Sequence, residues 1–304
     1  MQSKSEYYFV MKKEDPILAR DETIRLIRTY DKEAEIFINE RLVITRSSKD
    51  LKRVHDRAVM IKYAGKSFDE YDIVNLKRFS CKIISLRRLL DSEYISLIDR
   101  LANEIKSIAK DSKVDLDKPE VTFGIIVGEE IYRCILYEKR KILLDKIKKH
   151  PAELNPKLTM LMINLSNIRE GETLLDPCCG TGTILLYASY HSINSIGLDI
   201  SPSMCRYASL NLKHNGFVAN IINSDATRIP IKRADAVVTN MPYGRASSTF
   251  GRSSKELVNA ILDECKRISK SIVILCKDSD APQGLSSYDL YVHSTLRRRL
   301  VICN

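Results

Sequence analysis

The chain lacks several features that would assign it to a class at once. No apolar run in its 304 residues approaches the roughly 18 residues that a membrane helix needs. The first ten residues lack the apolar core of a signal peptide. There is no low-complexity tract, and no Gly-x-x-x-x-Gly-Lys-Ser/Thr loop that would predict hydrolysis of nucleoside triphosphates. These absences predict a globular, cytoplasmic protein with no membrane partner.

Metal ligands are also scarce. Only five histidines are present, and none of the eight cysteines forms a Cys-x-x-Cys pair. This pattern matches no zinc site, and a disulfide framework belongs to small secreted domains. We therefore expect no metal, and reduced cysteines that pack as small core residues.

Positive charge is in excess, with a net charge of +10. Residues 1–150 hold 32 Lys and Arg against 26 Asp and Glu, and residues 151–304 hold 17 against 13. A surplus spread over both halves favours a polyanionic partner. By itself it does not separate a nucleic-acid-binding protein from one with an ordinary solvated surface.

The amino-terminal half mixes helices and strands. Asp15 and the proline after it precede a helical pattern that continues to Tyr30. Residues 120–139 predict two strands joined by a turn at Gly128. Further strands are predicted at 35–39, 42–45 and 79–85, and further helices at about 50–61 and at 93–110. We expect an α+β region with mostly antiparallel pairing.

The rhythm changes after a break near His150, where charges and prolines interrupt any periodicity. Short β-rich runs then alternate with helical stretches, which predicts a parallel, doubly wound sheet. The runs are 173–177, 195–199, 220–225, 236–240 and 271–276, and the helices are 182–191, 203–214 and 255–269. The last two strands, 288–294 and 298–304, lie too close together for a crossover helix and predict a hairpin. Seven strands of which the last is antiparallel are typical of a Rossmann-like methyltransferase sheet, which is an α/β fold.

A glycine-rich loop begins at Asp176, directly after a predicted strand. Its glycines would let backbone amides approach a ligand at the carboxyl end of that strand. Asp199 ends the second strand, where it could accept both hydroxyls of a ribose, and Asp225 ends the third, where it could accept from an adenine amino group. The candidate cofactor-binding residues are Asp176, Pro177, Cys178, Gly180, Thr181, Gly182, Asp199, Ile200, Asp225, Ala226 and Asn240.

A second loop, Asn240-Met241-Pro242-Tyr243, follows the fourth strand and supplies the candidate catalytic residues. An exocyclic base amine is a poor nucleophile because its lone pair is delocalised into the ring. The side-chain oxygen of Asn240 and the carbonyl of Met241 could each accept one N–H from such an amine. Tyr243 offers a face on which an extruded base could stack.

These two loops together resemble those of the class I amino-methyltransferases, which use S-adenosylmethionine. KVDLDKPEVTFGII (113–126) resembles the RNA-binding THUMP domain. HPAELNPKLTMLMINLS (150–166) and MPYGRASS (241–248) resemble the tRNA guanosine N2-methyltransferases of the archaeal position-10 type. LARDETIRLIRTY (18–30) is similar to the amino-terminal ferredoxin-like domain of that family.

The resemblance implies both an organisation and a function. The domains would be a ferredoxin-like domain at 1–60, a THUMP domain at 61–140, a linker at 141–156 and a Rossmann-like methyltransferase domain at 157–304. The enzyme would bind tRNA and methylate the exocyclic amine of a flipped guanosine, at position 10. We expect a monomer, and a small activating subunit only if the chain is eukaryotic.

Two departures leave the target position open. The position-10 enzymes usually carry Asp where Asn240 stands and Pro where Met241 stands, whereas a relative that methylates guanosine 6 carries Asn. Amino-methyltransferases acting on adenine N6 or on a glutamine side chain use a similar loop, and an RNA-binding protein with an inactive methyltransferase fold is a further alternative. A cytosine-5 methylase needs a catalytic cysteine in or near this loop, and 240–244 has none.

Basic residues near the predicted openings are the candidate RNA contacts. Each of them taken singly could be ordinary surface charge, so they are tested as a set. They flank the THUMP-like strand, lie in a Gly/Ser-rich flap after the catalytic loop, or lie at the terminal hairpin. The set is Lys82, Arg87, Arg88, Arg245, Arg252, Arg297 and Arg298.

Overall fold

The computed structural model describes residues 4–139, 141–151, 153–218, 220–242, 253–293 and 296–303. The chain divides into two compact units, Met1–Arg140 and Lys141–Asn304. No helix within the described ranges combines the length and the apolar character that crossing a bilayer requires. The division into 1–60 and 61–140, and the linker at 141–156, stay predictions.

The amino-terminal unit is built on one eight-stranded sheet with three helices. The sheet order is β2-β3-β1-β4-β8-β7-β5-β6. Its strands are β1 Ser5–Met11, β2 Glu35–Asn39, β3 Leu42–Ser47, β4 Ile61–Lys66, β5 Arg78–Ser85, β6 Lys113–Val114, β7 Val121–Val127 and β8 Ile131–Leu136. Its helices are α1 Pro16–Tyr30, α2 Lys52–Arg57 and α3 Asp91–Ile108. Only the pairs of β5 with β7 and β6 are parallel among the described strands, which confirms an α+β unit with mostly antiparallel pairing.

Local signals explain α1, but several other elements of this unit differ from the prediction. The Asp15 side chain accepts a hydrogen bond from the Leu18 amide at 3.1 Å, so the helix starts where its cap predicts. The predicted helix at 50–61 is shorter, because the buried carboxylate of Glu22 accepts the amides of Val59 and Met60 and turns the chain into β4. Strands β1, β4 and β6 were not predicted. Strand β1 is buried along most of its length, so its sequence does not alternate.

The carboxyl-terminal unit has a seven-stranded sheet in the order β11-β10-β9-β12-β13-β15-β14. Strand β15 runs antiparallel to both β13 and β14, which confirms the predicted Rossmann-like methyltransferase topology. The strands are β9 Thr173–Asp176, β10 Asn194–Asp199, β11 Asn220–Asn223, β12 Ala236–Asn240, β13 Ile272–Lys277, β14 Ser286–His293 and β15 Leu296–Cys303. The helices are α4 Pro156–Leu165, α5 Thr183–Tyr190, α6 Pro202–His214 and α7 Ser254–Ile268.

The order of these strands decides where a ligand can bind. Strand β9 pairs in parallel with β10 on one side and with β12 on the other, so the strand order reverses at β9. Asp176, Asp199 and Asn240 are the last residues of these three strands and therefore lie at the same edge. The carboxyl edge of an open α/β sheet, where the order reverses, is the usual position of a ligand site.

Candidate active site

A cavity of about 410 Å³ opens at this edge of the carboxyl-terminal unit. Its volume lies within the range of about 300–1,000 Å³ that is usual for small-molecule sites. Both predicted loops contribute to its wall. The predicted residues that line it are Asp176, Pro177, Cys178, Gly180, Thr181, Asp199, Ile200, Asp225, Ala226, Asn240 and Pro242. Gly182 and Met241 are not among the lining residues, and Tyr243 lies outside the described residues.

Gly180 and Gly182 of the glycine-rich loop have different structural roles. Gly180 has φ +51°, and a Cβ at this position would find no other heavy atom within 4 Å, so its backbone is open to a ligand in the cavity. Gly182 has φ +83° and caps α5, and a Cβ there would lie 3.1 Å from the Cβ of Ala208. Gly182 thus permits α5 to pack against α6.

Asp199 connects the loop with the second strand. One carboxylate oxygen accepts the Gly180 amide at 2.9 Å, and the other accepts the Ser201 amide at 2.9 Å. Each oxygen has a second lone pair that can accept from a ligand hydroxyl. Asp225 is arranged similarly, with one oxygen accepting the Thr227 amide at 2.8 Å. Both acids therefore shape their own loops and retain acceptor capacity at the cavity.

Asp176 lies beneath the same loop and is almost fully buried, with 1% of its surface exposed. Its carboxyl accepts hydrogen bonds from the Thr239 hydroxyl at 2.7 Å and from the Cys178 amide at 3.2 Å. Burial raises the pKa of Asp176 to about 7, against the effect of these hydrogen bonds. A cation bound in the cavity would lower this pKa again.

Sequence reasoning missed a charged pair, Lys146 and Glu153, that contacts and stabilises the glycine-rich loop. The Lys146 ammonium donates to the hydroxyls of Thr181 and Thr183 at 2.7 and 2.8 Å, and lies 2.6 Å from the Glu153 carboxylate. Burial lowers the pKa of Lys146. Burial alone would raise the pKa of Glu153, but hydrogen bonds from Lys146 and Thr181 outweigh it and hold that pKa below its usual value. The only signal was a pair of charges in a segment with linker-like composition.

The second predicted loop begins with Asn240, whose side-chain oxygen points towards Arg298. This oxygen accepts a hydrogen bond from the guanidinium of Arg298 at 3.2 Å. Met241 is fully buried in the core, and its amide donates to the Leu275 carbonyl at 2.8 Å. Met241 therefore fixes the loop to the core, while Asn240 and Pro242 line the cavity.

The candidate RNA contacts lie in different surroundings. Arg297 is exposed, whereas Arg298 is buried and shows only 7% of its surface. The expectation of a surface contact at Arg298 is corrected, since its guanidinium extends inward to Asn240. Arg245 and Arg252 lie outside the described residues.

Arg87 and Arg88 lie in the amino-terminal unit at a second cavity, of about 830 Å³. Six basic residues line this basic groove against one acid, Glu14, so positive charge is in excess along it, although Arg87 also pairs with Glu93 at 2.5 Å. The ammonium of Lys82 lies 4.7 Å from the ring centre of Tyr63, which also lines the groove. Sequence reasoning missed four of the six, because they come from separate strands and loops. The six are Lys12, Lys13, Arg41, Lys62, Arg87 and Arg88.

Candidate metal ligands and cysteines in the described part of the chain bear on the sequence-based expectation of no metal site. No group of three or more His, Cys, Asp and Glu side chains is placed there to hold a metal ion. All eight cysteines are free thiols. Burial raises the pKa of Cys178 and Cys179, which flank the cavity, well above the ordinary value, so both stay protonated and pack as apolar groups.

Comparison with known folds supports the topology. TrmN from Thermus thermophilus superposes with a TM-score of 0.51 over 99% of each chain at 14% sequence identity. A family model described as an RMKL-like methyltransferase domain matches residues 146–288, which include both loops. A second model, described as a DNA methylase, matches residues 4–210 and so ends before Asn240.

Curated relatives narrow the family. The tRNA (guanine(10)-N2)-dimethyltransferase of Methanothermobacter thermautotrophicus is 30% identical over 71% of this chain and 68% of its own length. The enzyme of the same name from Methanocaldococcus jannaschii is 27% identical over 86% and 80%. The tRNA (guanine(6)-N2)-methyltransferase of the latter organism is 28% identical over 60% and 62%. The chain belongs to the tRNA guanine-N2-methyltransferase family of the archaeal position-10 type.

Proposed function

We propose that this enzyme transfers a methyl group from S-adenosylmethionine to the N2 amine of a guanosine in tRNA, at position 10. One observation carries the proposal: the glycine-rich loop and Asn240 line the same cavity, so a methyl donor and a base amine can meet there. Position 6 is the second candidate, because Asn240 occupies a place where position-10 enzymes usually carry Asp.

The residues at the cavity fit the proposed donor. The open face of Gly180 admits the donor close to the backbone, the free lone pairs of Asp199 suit the two ribose hydroxyls, and Asp225 suits the adenine amine. The bound sulfonium supplies an electrophilic methyl group. The buried Asp176 offers a carboxyl whose ionised form that positive charge would favour.

Asn240 would prepare the amine for attack with the side-chain oxygen that it presents at the cavity. Met241, whose carbonyl was the second predicted acceptor, is fully buried and does not line the cavity. A carbonyl oxygen that accepts one N–H orients the nitrogen lone pair towards the methyl group and stabilises the charge that develops on nitrogen. Transfer would form the new N–C bond as the C–S bond of the donor breaks, so the donor would leave as a neutral thioether and the guanosine nitrogen would carry the positive charge. Asn240 cannot act as a base, so the nitrogen releases its proton to solvent after the transfer.

We further assign tRNA binding to the amino-terminal unit. The basic groove offers several cations to phosphates, and Tyr63 offers a ring to an unstacked base. The domain boundaries implied by the resemblance, with THUMP at 61–140, belong to this proposal. We place the enzyme in the cytoplasm and expect it to act as a monomer.

The test uses tRNA transcripts in which a single guanosine is replaced by inosine, which lacks only the N2 amine. With isotope-labelled donor, the unmodified transcript should give N2-methylated guanosine by mass spectrometry. Inosine at position 10 should abolish incorporation, while inosine at position 6 should not. The reverse result would move the target to position 6.

Duplex DNA and a glutamine peptide serve as alternative substrates in the same assay. Labelling of either one, but not of tRNA, would contradict the proposal. Binding of the donor without labelling of any tRNA would identify an inactive methyltransferase fold.

A further inference from the structure

Arg298 reaches the catalytic loop from a distant part of the sequence because of the strand register. Strand β13 pairs Leu275 with Asn240 on one side and with Leu300 on the other, so these three side chains share one face of the sheet. Arg298 lies two residues before Leu300 and therefore on that same face. Since β15 runs antiparallel to β13, Arg298 pairs with Lys277 and lies two residues further towards the edge where the cavity opens.

The hydrogen bond between Arg298 and Asn240 is chemically selective. A primary amide presents an acceptor oxygen at one end and a donor NH₂ at the other, and the two ends can exchange by rotation about the last side-chain bond. A guanidinium carries only donors, so it can face the oxygen but not the NH₂. The bond from the guanidinium to the Asn240 oxygen, at 3.2 Å, therefore distinguishes between these two orientations.

The surroundings of Arg298 indicate that this contact is built into the site. A buried guanidinium is costly unless partners compensate for its lost hydration, and Arg298 is buried next to a cavity proposed to receive a second cation. The next residue along β15 is different. Arg299 lies on the opposite face, is partly exposed, and pairs with Asp278 at 2.7 Å and Asp289 at 2.9 Å.

We propose that Arg298 is a positioning residue that holds the Asn240 amide with its oxygen available to the guanosine amine. The inference rests on the proposed function. One lone pair of the oxygen accepts from Arg298 and the other is left for an N–H of the substrate. Such a device matters for an asparagine, whose two ends differ, more than for an aspartate, whose two oxygens are equivalent.

The test measures single-turnover methyl transfer with saturating donor and tRNA for Arg298→Met and Arg298→Lys, with Arg299→Met as the matched control. Arg298→Met should lower the rate by about 10- to 100-fold, the range for a hydrogen bond to a charged group. Its affinities for donor and tRNA should stay within about threefold, because only the amide orientation is lost. Arg298→Lys, which keeps a donor, should recover part of the rate, and Arg299→Met should match the wild type.

A double variant distinguishes positioning from a general structural role. In an Asn240→Ala background there is no amide to orient, so adding Arg298→Met should change the residual rate by less than about twofold. Equal losses in both backgrounds would overturn the proposal. So would a loss confined to tRNA affinity together with a flatter salt dependence, which would identify a phosphate contact.

The wild-type reaction in the same series identifies the methylated nucleoside. Formation of N2-methylguanosine with an unaffected Arg298→Met rate would reject the positioning role and leave the proposed function standing. Absence of that product from the wild type would reject both.

Discussion

The two units use ionisable groups in opposite ways. In the carboxyl-terminal unit Asp176 is buried and Asp199 is half-buried, and both already accept backbone amides at the cavity, although Asp225 there is exposed. In the amino-terminal unit the cations stand around an open basic groove, and the buried groups Glu22 and His55 belong to the interior. Desolvated groups act strongly over short distances, whereas exposed charges are screened by salt.

This difference predicts how each unit responds to mutation. Changes at the cavity should alter the rate of methyl transfer or the donor affinity and should depend little on salt. Changes at the basic groove should alter tRNA affinity and its salt dependence, and should leave the rate at saturation intact. The five predictions that follow run from the largest expected effect on methyl transfer to the smallest.

Asn240→Ala should lower the single-turnover rate by about 10³-fold, because it removes an acceptor that acts on charge developing in the transition state. Donor affinity, measured by calorimetry, should remain within several-fold. Asn194→Ala, which removes an exposed amide at the start of β10, is the control. If Asn240→Ala kept its activity, Asn240 would have no role in methyl transfer, and the contrast between the cavity and the groove would lose its catalytic side.

Asp199→Ala should weaken donor binding by about 100-fold, because two charge-assisted hydrogen bonds are lost and the Gly180 amide loses its acceptor. Asp225→Ala should have a smaller effect, about tenfold, since it removes one such bond. Calorimetry at two salt concentrations measures both, and the loss for the half-buried Asp199 should be similar at each. If Asp199→Ala bound the donor with unchanged affinity, Asp199 could not be the residue that binds the ribose.

Charge reversal of both Arg87 and Arg88 to Glu should weaken tRNA binding by about tenfold and flatten the slope of log affinity against log salt by about one to two. The rate at saturating tRNA should persist. Reversal of Arg100 and Lys106, two exposed cations on α3, applies the same change in charge outside the groove. If both double variants behave alike, the effect is one of net charge and the groove has no special role.

His55 should make the stability of the amino-terminal unit depend on pH, and its replacement should leave methyl transfer at neutral pH unchanged. Burial lowers the pKa of His55 to about 4 from 6.5, so the unfolded chain takes up a proton between these values that the folded unit does not. Stability should therefore fall as the pH falls through this window, by up to about 1.4 kcal/mol per pH unit. Hydrogen exchange of amides in residues 4–139 measures it, and His55→Leu should flatten the dependence.

The stability of the carboxyl-terminal unit should depend on pH in the opposite direction and fall as the pH rises. The folded state holds a proton on Asp176 up to about pH 7, whereas the unfolded carboxyl ionises near 3.8. The unfolded state thus binds fewer protons in this range, so burial of Asp176 costs more as the pH rises through it. Asp176→Asn should remove that slope from amides of the carboxyl-terminal unit, and parallel slopes in the two units would contradict the assignment.

The sequence predicted features that depend on neighbours along the chain. Asp15 with the proline after it marks the start of α1, and the close spacing of the last two strands predicts the antiparallel β15. Asp176, Asp199 and Asn240 could be grouped because each ends a strand of one parallel sheet. These signals are local, or follow from a general rule of α/β topology.

Features that depend on distant contacts could not be predicted in this way. The end of α2 is imposed by Glu22, more than thirty residues earlier in the chain. The bond between Lys146 and Thr181 joins a linker-like segment to the glycine-rich loop. Arg298 looked like a surface cation because nothing near it in the sequence indicates that β15 lies beside β13.

Strand β15 lies between β13 and β14, although β14 precedes it in the chain. Among the described strands, β14 therefore joins the sheet only through β15, and both strands of this hairpin follow β13 in the chain. The residues that line the donor cavity all precede β13 in the chain. We expect the folding chain to shape a pocket for the nucleoside first and to acquire the guanidinium that faces Asn240 only when this hairpin closes the sheet.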